Sequence, residues 1–383
     1  MNIRKIESLY IHIPFCDHIC VYCDFYKMIA KNDEKEKYID YLIKELDLKQ
    51  ELLHNIKTIY IGGGTPSNLE NQLLIKLFDA LNKYIDLKKL QEFTIECNPI
   101  DVTKELVLIL KKYNVNRVSL GVQSFNNKKL EYLKRNHTSE IAINAINTLQ
   151  VNGINNINCD FIYGLHIKNQ FIDDFNIIKN DLDLAIKLNI PHISCYTLII
   201  EDKTILNKFI KDKKYQIMND DLEADLFEFI NNYLKKYQFD HYEISNYSLP
   251  GYQSLHNLTY WNNEYYLGIG ANASYYYNNT RYTNINNLKS YYQGIDNGKL
   301  NYFEEVKLDI SDMMYEEIML GLRKLKGINK NNFLKKYNCD IISVYNKIPN
   351  LLDQGILIDD GENIFVSEDK IYILNDILLQ ILE

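Results

Sequence analysis

Short apolar runs, rich in β-branched residues, alternate with longer amphipathic stretches through the first half of the chain. Between the first two runs, Ile39, Leu42, Ile43 and Leu46 recur at the spacing of one helix face. Each apolar run has the length and composition of a buried strand. The pattern predicts six strands with helices between them, at Ser8 to Ile13, Thr58 to Ile61, Glu92 to Glu96, Arg117 to Val122, Ile157 to Tyr163 and His192 to Leu198.

Strands that alternate with helices pair in parallel through right-handed crossovers, which gives an α/β fold with either an open doubly wound sheet or a barrel. Asp101, Ser139 and Asp173 stand where the N-caps of later helices are expected.

Polar and glycine residues follow or end several of the predicted strands. In both architectures the carboxyl ends of the strands meet on one side, and ligands bind there. We therefore expect a ligand site built from Cys16 to Cys23, Gly62 to Gly64, Glu96, Gln123 and Asp160.

After about residue 300 the pattern becomes helical, and it predicts a hairpin around Asp360-Gly361. From Glu304 to Glu383 there are 9 Lys and Arg against 15 Asp and Glu, a net charge of -6. This charge disfavours DNA binding and favours a structural or protein-docking lid. We predict a main domain of residues 1–300 and a mostly helical, winged-helix-like module of residues 301–383, with helices at Asp312 to Lys324, Asn331 to Tyr337 and Ile341 to Gln354 and the hairpin at Ile356 to Val366.

Composition narrows the function classes. The 383 residues are 46% hydrophobic and 25% charged, as in ordinary globular proteins, and the net charge is -8. This charge works against general attraction to nucleic acid or anionic membranes. No apolar run is long enough to span a membrane, and Met1 to Tyr10 lacks the apolar core of a signal peptide, so we expect a cytoplasmic location.

Three of the seven cysteines, Cys16, Cys20 and Cys23, lie within eight residues after the first predicted strand. In a reducing compartment such spacing indicates metal ligation. Three thiolates on one loop can hold a [4Fe-4S] cluster and leave one iron open to a small molecule. A structural zinc site is the alternative, with His18 as a fourth ligand.

A glycine loop, Gly62-Gly63-Gly64-Thr65, follows the second predicted strand. No lysine follows in the position that a phosphate-binding P-loop requires, so a nucleoside triphosphate site is not expected. Glycines let the backbone approach a ligand closely, which suits the ammonium group of a ligand such as S-adenosylmethionine (SAM).

The spacing C-x3-C-x2-C is also the hallmark of radical SAM proteins. Over nearly the whole chain, the motifs resemble those of the oxygen-independent coproporphyrinogen III oxidase family. The matching segments are Tyr10 to Cys16, Gly62 to Ser67, Glu96 to Pro99, Arg117 to Phe125, Asp160 to Leu165, His192 to Tyr196, Tyr242 to Asn246 and His256 to Trp261.

Two branches of this family differ at positions that are visible here. The dehydrogenase branch has a further cysteine two residues after the third cluster cysteine, where this chain has Phe25, and a longer start. The heme-chaperone branch has a His-Asn-x-x-Tyr-Trp block, which is intact from His256 to Trp261. The resemblance therefore implies a heme chaperone, with a coproporphyrinogen dehydrogenase as the alternative and a structural metal protein as a more distant one.

The resemblance also implies a partial (β/α)6 barrel with the cluster on Cys16, Cys20 and Cys23. Departures from the family pattern are Leu165-His166-Ile167 after the fifth strand and Lys134 before Arg135. The residues implied to contact SAM are Tyr10, Tyr22, Gly63, Gly64, Thr65, Glu96, Gln123, Arg135 and Asp160. Those implied for heme are His256, Asn257, Tyr260 and Trp261, and the implied partners are heme, an acceptor hemoprotein and an electron donor.

Overall fold

A parallel sheet forms the centre of the molecule. The computed structural model describes residues 5–382 apart from 165, 168–173, 203, 213–214 and 217. Over these residues the strands are β1 (Ser8–Ile13), β2 (Thr58–Gly63), β3 (Glu92–Cys97), β4 (Arg117–Gln123), β5 (Ile157–Tyr163), β6 (His166–Ile167), β7 (His192–Thr197), β8 (Tyr215–Gln216), β9 (Asp240–Glu243), β10 (Asn246–Ser248), β11 (Tyr266–Ile269), β12 (Ser274–Tyr277), β13 (Thr280–Asn284), β14 (Tyr302–Lys307), β15 (Ile328–Asn329), β16 (Leu357–Asp359) and β17 (Asn363–Val366).

Helices lie between most of the strands. In the same residues they are α1 (Asn32–Leu48), α2 (Asn71–Tyr84), α3 (Lys104–Lys112), α4 (Asn127–Tyr132), α5 (Ser139–Val151), α6 (Asp174–Lys187), α7 (Ile205–Lys211), α8 (Asp220–Lys235), α9 (Leu255–Trp261), α10 (Leu288–Asp296), α11 (Ile310–Gly321), α12 (Lys330–Tyr337), α13 (Ile341–Val344), α14 (Ile348–Asp353) and α15 (Leu374–Leu382). The stripe predicted on α1 is buried, as Ile39, Leu42 and Leu46 are fully covered.

The six predicted strands lie side by side as β1-β2-β3-β4-β5-β7, and every neighbouring pair is parallel. The whole sheet has the order β14-β13-β12-β11-β1-β2-β3-β4-β5-β7-β10-β9. Its edge strands, β14 and β9, are not paired with each other, so the sheet is open. The predicted α/β fold with a partial six-stranded barrel is confirmed.

Some local predictions were wrong. Thr103, not Asp101, caps α3, and Thr138 caps α5, so Ser139 is the first helical residue. Asp173 lies outside the described residues. Strand β11, which pairs in parallel with β1, was not among the predicted strands.

The C-terminal module has its own core, in which the buried residues include Ile318, Phe333 and Ile377. Helices α11 to α15 pack on a three-stranded sheet of order β15-β17-β16, and the predicted hairpin is β16 and β17. The third predicted helix is instead two, α13 and α14, because Pro349 in the first turn of α14 starts a new helix. Beyond residue 300, β14 still pairs with β13 of the large sheet, so the second core begins after this strand.

Among the described residues, no helix combines the length and apolar character that crossing a bilayer requires.

A buried ion pair joins α1 to the segment that follows β11. The Glu45 carboxylate accepts hydrogen bonds from Lys49 Nζ at 2.8 Å, from the Gly270 amide at 2.9 Å and from the hydroxyl of Tyr291 at 2.6 Å. Both charged side chains are covered, with exposures of 0% for Glu45 and 7% for Lys49. The carboxylate is therefore satisfied by groups from three parts of the fold.

Replacing Glu45 by Ala should destabilise the barrel, because the buried ammonium of Lys49 would lose its counter-charge. We expect the free energy of unfolding to fall by about 3–5 kcal/mol, measured by urea denaturation followed by circular dichroism. The control is Asp296→Asn, which removes an exposed ion pair with Lys44 and should change stability little. Equal effects of the two substitutions would contradict this account.

Candidate cofactor site

The three clustered cysteines lie on one loop at the carboxyl end of β1. The ends of this loop are hydrogen-bonded together, since the Cys16 amide donates to Met28 O at 2.9 Å and the Met28 amide donates to Pro14 O at 2.7 Å. All three thiols are free, with Cys16 buried and Cys20 and Cys23 partly exposed. The loop thus presents three sulfurs beside the end of the central sheet.

Hydrogen-bond donors from other segments of the chain approach two of these sulfurs. Arg135 Nη1 donates to Cys20 Sγ at 3.1 Å, and Thr65 Oγ1 donates to Cys16 Sγ at 3.4 Å. Burial raises the pKa of the Cys16 thiol to about 11 and also raises that of Cys23. Metal binding must therefore release protons from these thiols.

These donors and three free thiols fit a cluster whose sulfurs carry negative charge. Among the described residues, no group of three or more His, Cys, Asp or Glu side chains is arranged so that it could hold a metal ion. The roles of Cys16, Cys20 and Cys23 as cluster ligands therefore stay a prediction.

The glycine loop packs directly against the start of the cysteine loop. The Gly64 amide donates to Ile13 O and the Thr65 amide to Phe15 O, both at 2.8 Å. Gly63 has a φ of +115°, and a Cβ there would lie 2.5 Å from the ring of His12. A Cβ on Gly64 would lie 2.8 Å from the backbone of Phe15. The two glycines are therefore required for the close approach of β2 to the cysteine loop.

Two predicted SAM residues, Glu96 and Asp160, place carboxyl groups on the inner face of the sheet. Glu96 accepts from the hydroxyl of Tyr60 at 2.8 Å and from the Gly63 amide at 3.1 Å. Asp160 accepts from Asn158 Nδ2 at 2.7 Å. Burial raises the pKa of Glu96 to about 7, and it raises that of Asp160 as well. The interior thus holds two carboxyl groups that a bound cation or hydroxyl group would help to keep ionised.

Arg135 lies at the same rim and is held in place by two oxygen acceptors. Its Nη2 donates to Asn98 Oδ1 at 2.7 Å and to Gly121 O at 2.9 Å. Gln123, at the end of β4 with a φ of +66°, accepts from the hydroxyl of Tyr196 at 3.1 Å. This arrangement leaves a guanidinium group beside the cysteine loop, where a carboxylate ligand could pair with it.

The two tyrosines that are predicted to contact SAM lie in the same enclosed space. The hydroxyl of Tyr10, on β1, lies 2.8 Å from His12 Nδ1. Tyr22, on the cysteine loop, packs in a cluster with Leu133 and Ile162. The structure thus brings all nine predicted SAM residues to the inner face or the carboxyl rim of one sheet, and their contacts with SAM stay predictions.

Other polar residues of this interior were missed by the sequence interpretation. Tyr60 and Tyr196 donate hydrogen bonds to Glu96 and Gln123, which are predicted to contact SAM. Asn98 links Arg135 to Thr65. Arg117 is also buried there. The sequence did carry a signal for these residues. Side chains two apart in a strand share a face, and polar residues at alternating positions of a buried strand mark its inner side.

The four residues implied for heme lie on α9 or at its end, at the opposite end of the strands. Glu92, the first residue of β3, accepts hydrogen bonds from the Leu255 amide at 2.7 Å and the His256 amide at 3.2 Å. Thr58 begins β2, and its Oγ1 is 2.9 Å from His256 Nδ1. Helix α9 therefore closes the amino end of the barrel, whereas the cysteines lie at its carboxyl end.

Both ring nitrogens of His256 have partners. The Thr58 hydroxyl donates to Ser8 Oγ at 2.8 Å, so it accepts from Nδ1–H, and Nε2 accepts from the Tyr260 hydroxyl at 2.8 Å. His256 is 1% exposed, and burial lowers its pKa to about 3, so the ring is neutral. Asn257 is half-buried, and the indole Nε1 of Trp261 is buried without a partner among the described residues.

The turn after α9 is held by the second core and by β13. Lys324 Nζ donates to Asn262 Oδ1 at 2.6 Å, and Arg281 Nη2 donates to Asn263 Oδ1 at 2.8 Å. Arg281 also pairs with Glu316 on α11 at 2.8 Å. The position of α9 therefore depends on contacts both inside the barrel and with the C-terminal module.

Comparison with known sequences gives two family matches and several full-length relatives. Residues 10–175 match the model of the Radical SAM superfamily, and residues 308–369 match that of the HemN C-terminal domain. The chain is 38% identical to a Lactococcus lactis protein named heme chaperone HemW, covering 98% of this chain and 97% of that one. It is 32% identical to the Bacillus subtilis protein of the same name, covering 97% and 98%.

Comparison with solved structures finds the same fold. The coproporphyrinogen III oxidase HemN of Escherichia coli, described as a radical SAM enzyme, superposes with a TM-score of 0.83 at 20% identity, covering 99% of this chain and 90% of that one. At this identity the likeness concerns the fold, including the C-terminal module.

Replacing Cys20 by Ser should abolish cluster assembly, because serine offers no thiolate to the iron. We expect anaerobically reconstituted wild-type protein to hold about four irons per chain and C20S to lose most of this iron and the visible absorbance. Cys339→Ser, in the C-terminal module, is the matched control and should load normally. A C20S protein with full iron content, or a wild-type protein that holds zinc instead, would overturn the cluster assignment.

Proposed function

Because the chain belongs to the heme chaperone HemW family of radical SAM proteins, we propose that it binds heme and transfers it to an acceptor hemoprotein. Its cofactors are those of the superfamily, a [4Fe-4S] cluster and SAM. An acceptor hemoprotein and a one-electron donor to the cluster are the proposed partners, and the proposed place of action is the cytoplasm.

The observation that supports heme binding most directly is that the imidazole of His256 is neutral and bonded at both nitrogens. Heme iron is bound by a neutral imidazole, and burial keeps this ring neutral. The Nδ1 side is anchored by Thr58, so the lone pair of Nε2 points to Tyr260. An axial bond from Nε2 to iron would replace the hydrogen bond from Tyr260, and α9 would have to present this edge of the ring to the heme.

The cofactor site supports a second role for the same chain, beside heme handling. SAM bound at a reduced cluster can supply a 5'-deoxyadenosyl radical. Here Cys16, Cys20 and Cys23 would hold the cluster, and Arg135 would orient the SAM carboxylate. Glu96 and Asp160 would accept hydrogen bonds from the ribose or the ammonium group. The inner face of the sheet keeps water away from these groups.

Porphyrinogen decarboxylation is the competing function, because HemN shares the fold. Phe25 argues against it. This residue stands two positions after Cys23, where the dehydrogenase branch is expected to have a cysteine, and its ring is 72% exposed. A phenyl ring can neither ligate iron nor carry a proton or an electron as a thiol does.

Reconstituted protein should bind about one heme per chain and should form no protoporphyrinogen from coproporphyrinogen in the presence of SAM and a reductant. Heme binding is measured by titration of the Soret absorbance, and product is measured by porphyrin fluorescence after oxidation. E. coli HemN serves as the positive control for the reaction. Steady turnover by this chain would contradict the chaperone assignment.

Two substitutions on α9 should have different effects on heme affinity. His256→Ala removes the proposed iron ligand and should weaken binding by at least about tenfold. Tyr260→Phe keeps the ring but releases the lone pair of Nε2, so it should leave the affinity unchanged or raise it. Soret titration of both variants, with circular dichroism to verify folding, checks this pair. Unchanged affinity in H256A would rule out His256 as the ligand.

A further inference from the structure

Arg117 is a buried cation without a direct counter-ion. It is the first residue of β4, is 1% exposed, and its Nε is buried without a hydrogen-bond partner. In the part of the chain that the structure describes, its side chain makes no ion pair and donates no side-chain hydrogen bond. An unpaired buried charge is strongly destabilising unless a longer-range interaction compensates it.

The compensating groups lie on the two neighbouring strands. Arg117 sits between β3, which carries Glu96, and β5, which carries Asp160, and it interacts electrostatically with both carboxyl groups. Glu96 and Asp160 in turn repel each other. Two carboxylates enclosed together cannot both stay ionised without a nearby positive charge.

The other groups around this pair supply that charge only in part. The histidines His192 and His256 are neutral, because burial lowers the pKa of each. Arg135 favours the ionised form of Asp160, but among the main interactions of Glu96 with the described residues the only positive charge is that of Arg117. The guanidinium of Arg135 is also held at the rim by three hydrogen bonds. The remaining titratable groups near Glu96, Asp160 or Arg117 are uncharged or acidic, and they are Tyr10, Tyr60, Tyr196, Tyr242, Tyr260, Cys97, Cys159 and Glu92.

We propose that Arg117 is a positioning residue for SAM, whose unpaired guanidinium keeps Glu96 and Asp160 ionised so that they can accept hydrogen bonds from the cofactor. Arg117 does so from the amino-terminal side of the site, without touching SAM itself. The proposal concerns the cofactor and rests on the assignment of Glu96 and Asp160 to SAM, not on heme transfer.

The proposal predicts in which direction SAM affinity changes with pH. Burial raises the pKa of Glu96 to about 7, and the positive charge of Arg117 acts in the opposite direction. SAM affinity in the wild type should therefore fall as the pH drops through about 7. Without the charge at position 117, the pKa of Glu96 rises further, and the loss of affinity begins at a higher pH.

The test compares SAM binding to cluster-reconstituted wild type, Arg117→Gln and Arg117→Lys between pH 6 and 9, by anaerobic equilibrium dialysis of labelled SAM. If R117Q shifts the midpoint by about one pH unit, its affinity at pH 7 falls about fivefold relative to the wild type and recovers at high pH. R117K keeps the charge and should keep the wild-type midpoint. Arg281→Gln removes another buried arginine charge, away from the carboxylates, and should leave the profile unchanged.

A purely structural role would lower the affinity of R117Q equally at every pH, and this result would overturn the proposal. An unshifted R117Q profile would do the same. If the wild type bound no SAM at any pH, the SAM assignment itself would be wrong, whereas failure of heme binding alone would leave the proposal intact. Should R117Q not fold, Arg117→Met provides a second neutral side chain of similar length for the same comparison.

Discussion

In a curved parallel sheet, every second side chain of each strand points to the enclosed side, and in this protein those side chains are polar. Each of them must find a partner away from water, because a buried polar group without one is costly. Many of the side chains meet this requirement by bonding across strands, as Tyr60 does with Glu96 and Tyr196 with Gln123. Arg117 is the exception, because its charge is balanced only at longer range. The interior is consequently a connected polar network rather than an apolar core.

This network gives the two ends of the sheet different chemistry. At the carboxyl end, the cysteine loop and the glycine loop are joined by short backbone hydrogen bonds, and donors reach the sulfurs from the glycine loop and from the segment after α4. At the amino end, α9 lies across the first residues of β1, β2 and β3. The residues implied for SAM and those implied for heme are thus separated by the polar interior that contains Arg117.

The C-terminal module contacts the amino end of the sheet, where α9 lies. Lys324 and Glu316 hold the turn after α9, directly or through Arg281. Any movement that exposes the Nε2 edge of His256 would disturb these contacts as well as the hydrogen bonds to Glu92. A rearrangement of α9 would therefore also change its contacts with the C-terminal module.

The sequence by itself determined the six parallel strands and the cysteine and glycine loops, because these depend on local periodicity and on spacings within a few residues. It did not determine β11, which is absent from the predicted strands, since only contact with β1 makes this segment a strand. It also could not show that Arg117 has no counter-ion or that both nitrogens of His256 are bonded. Those facts depend on which side chains from distant segments meet in the enclosed space, and only the tertiary structure decides that.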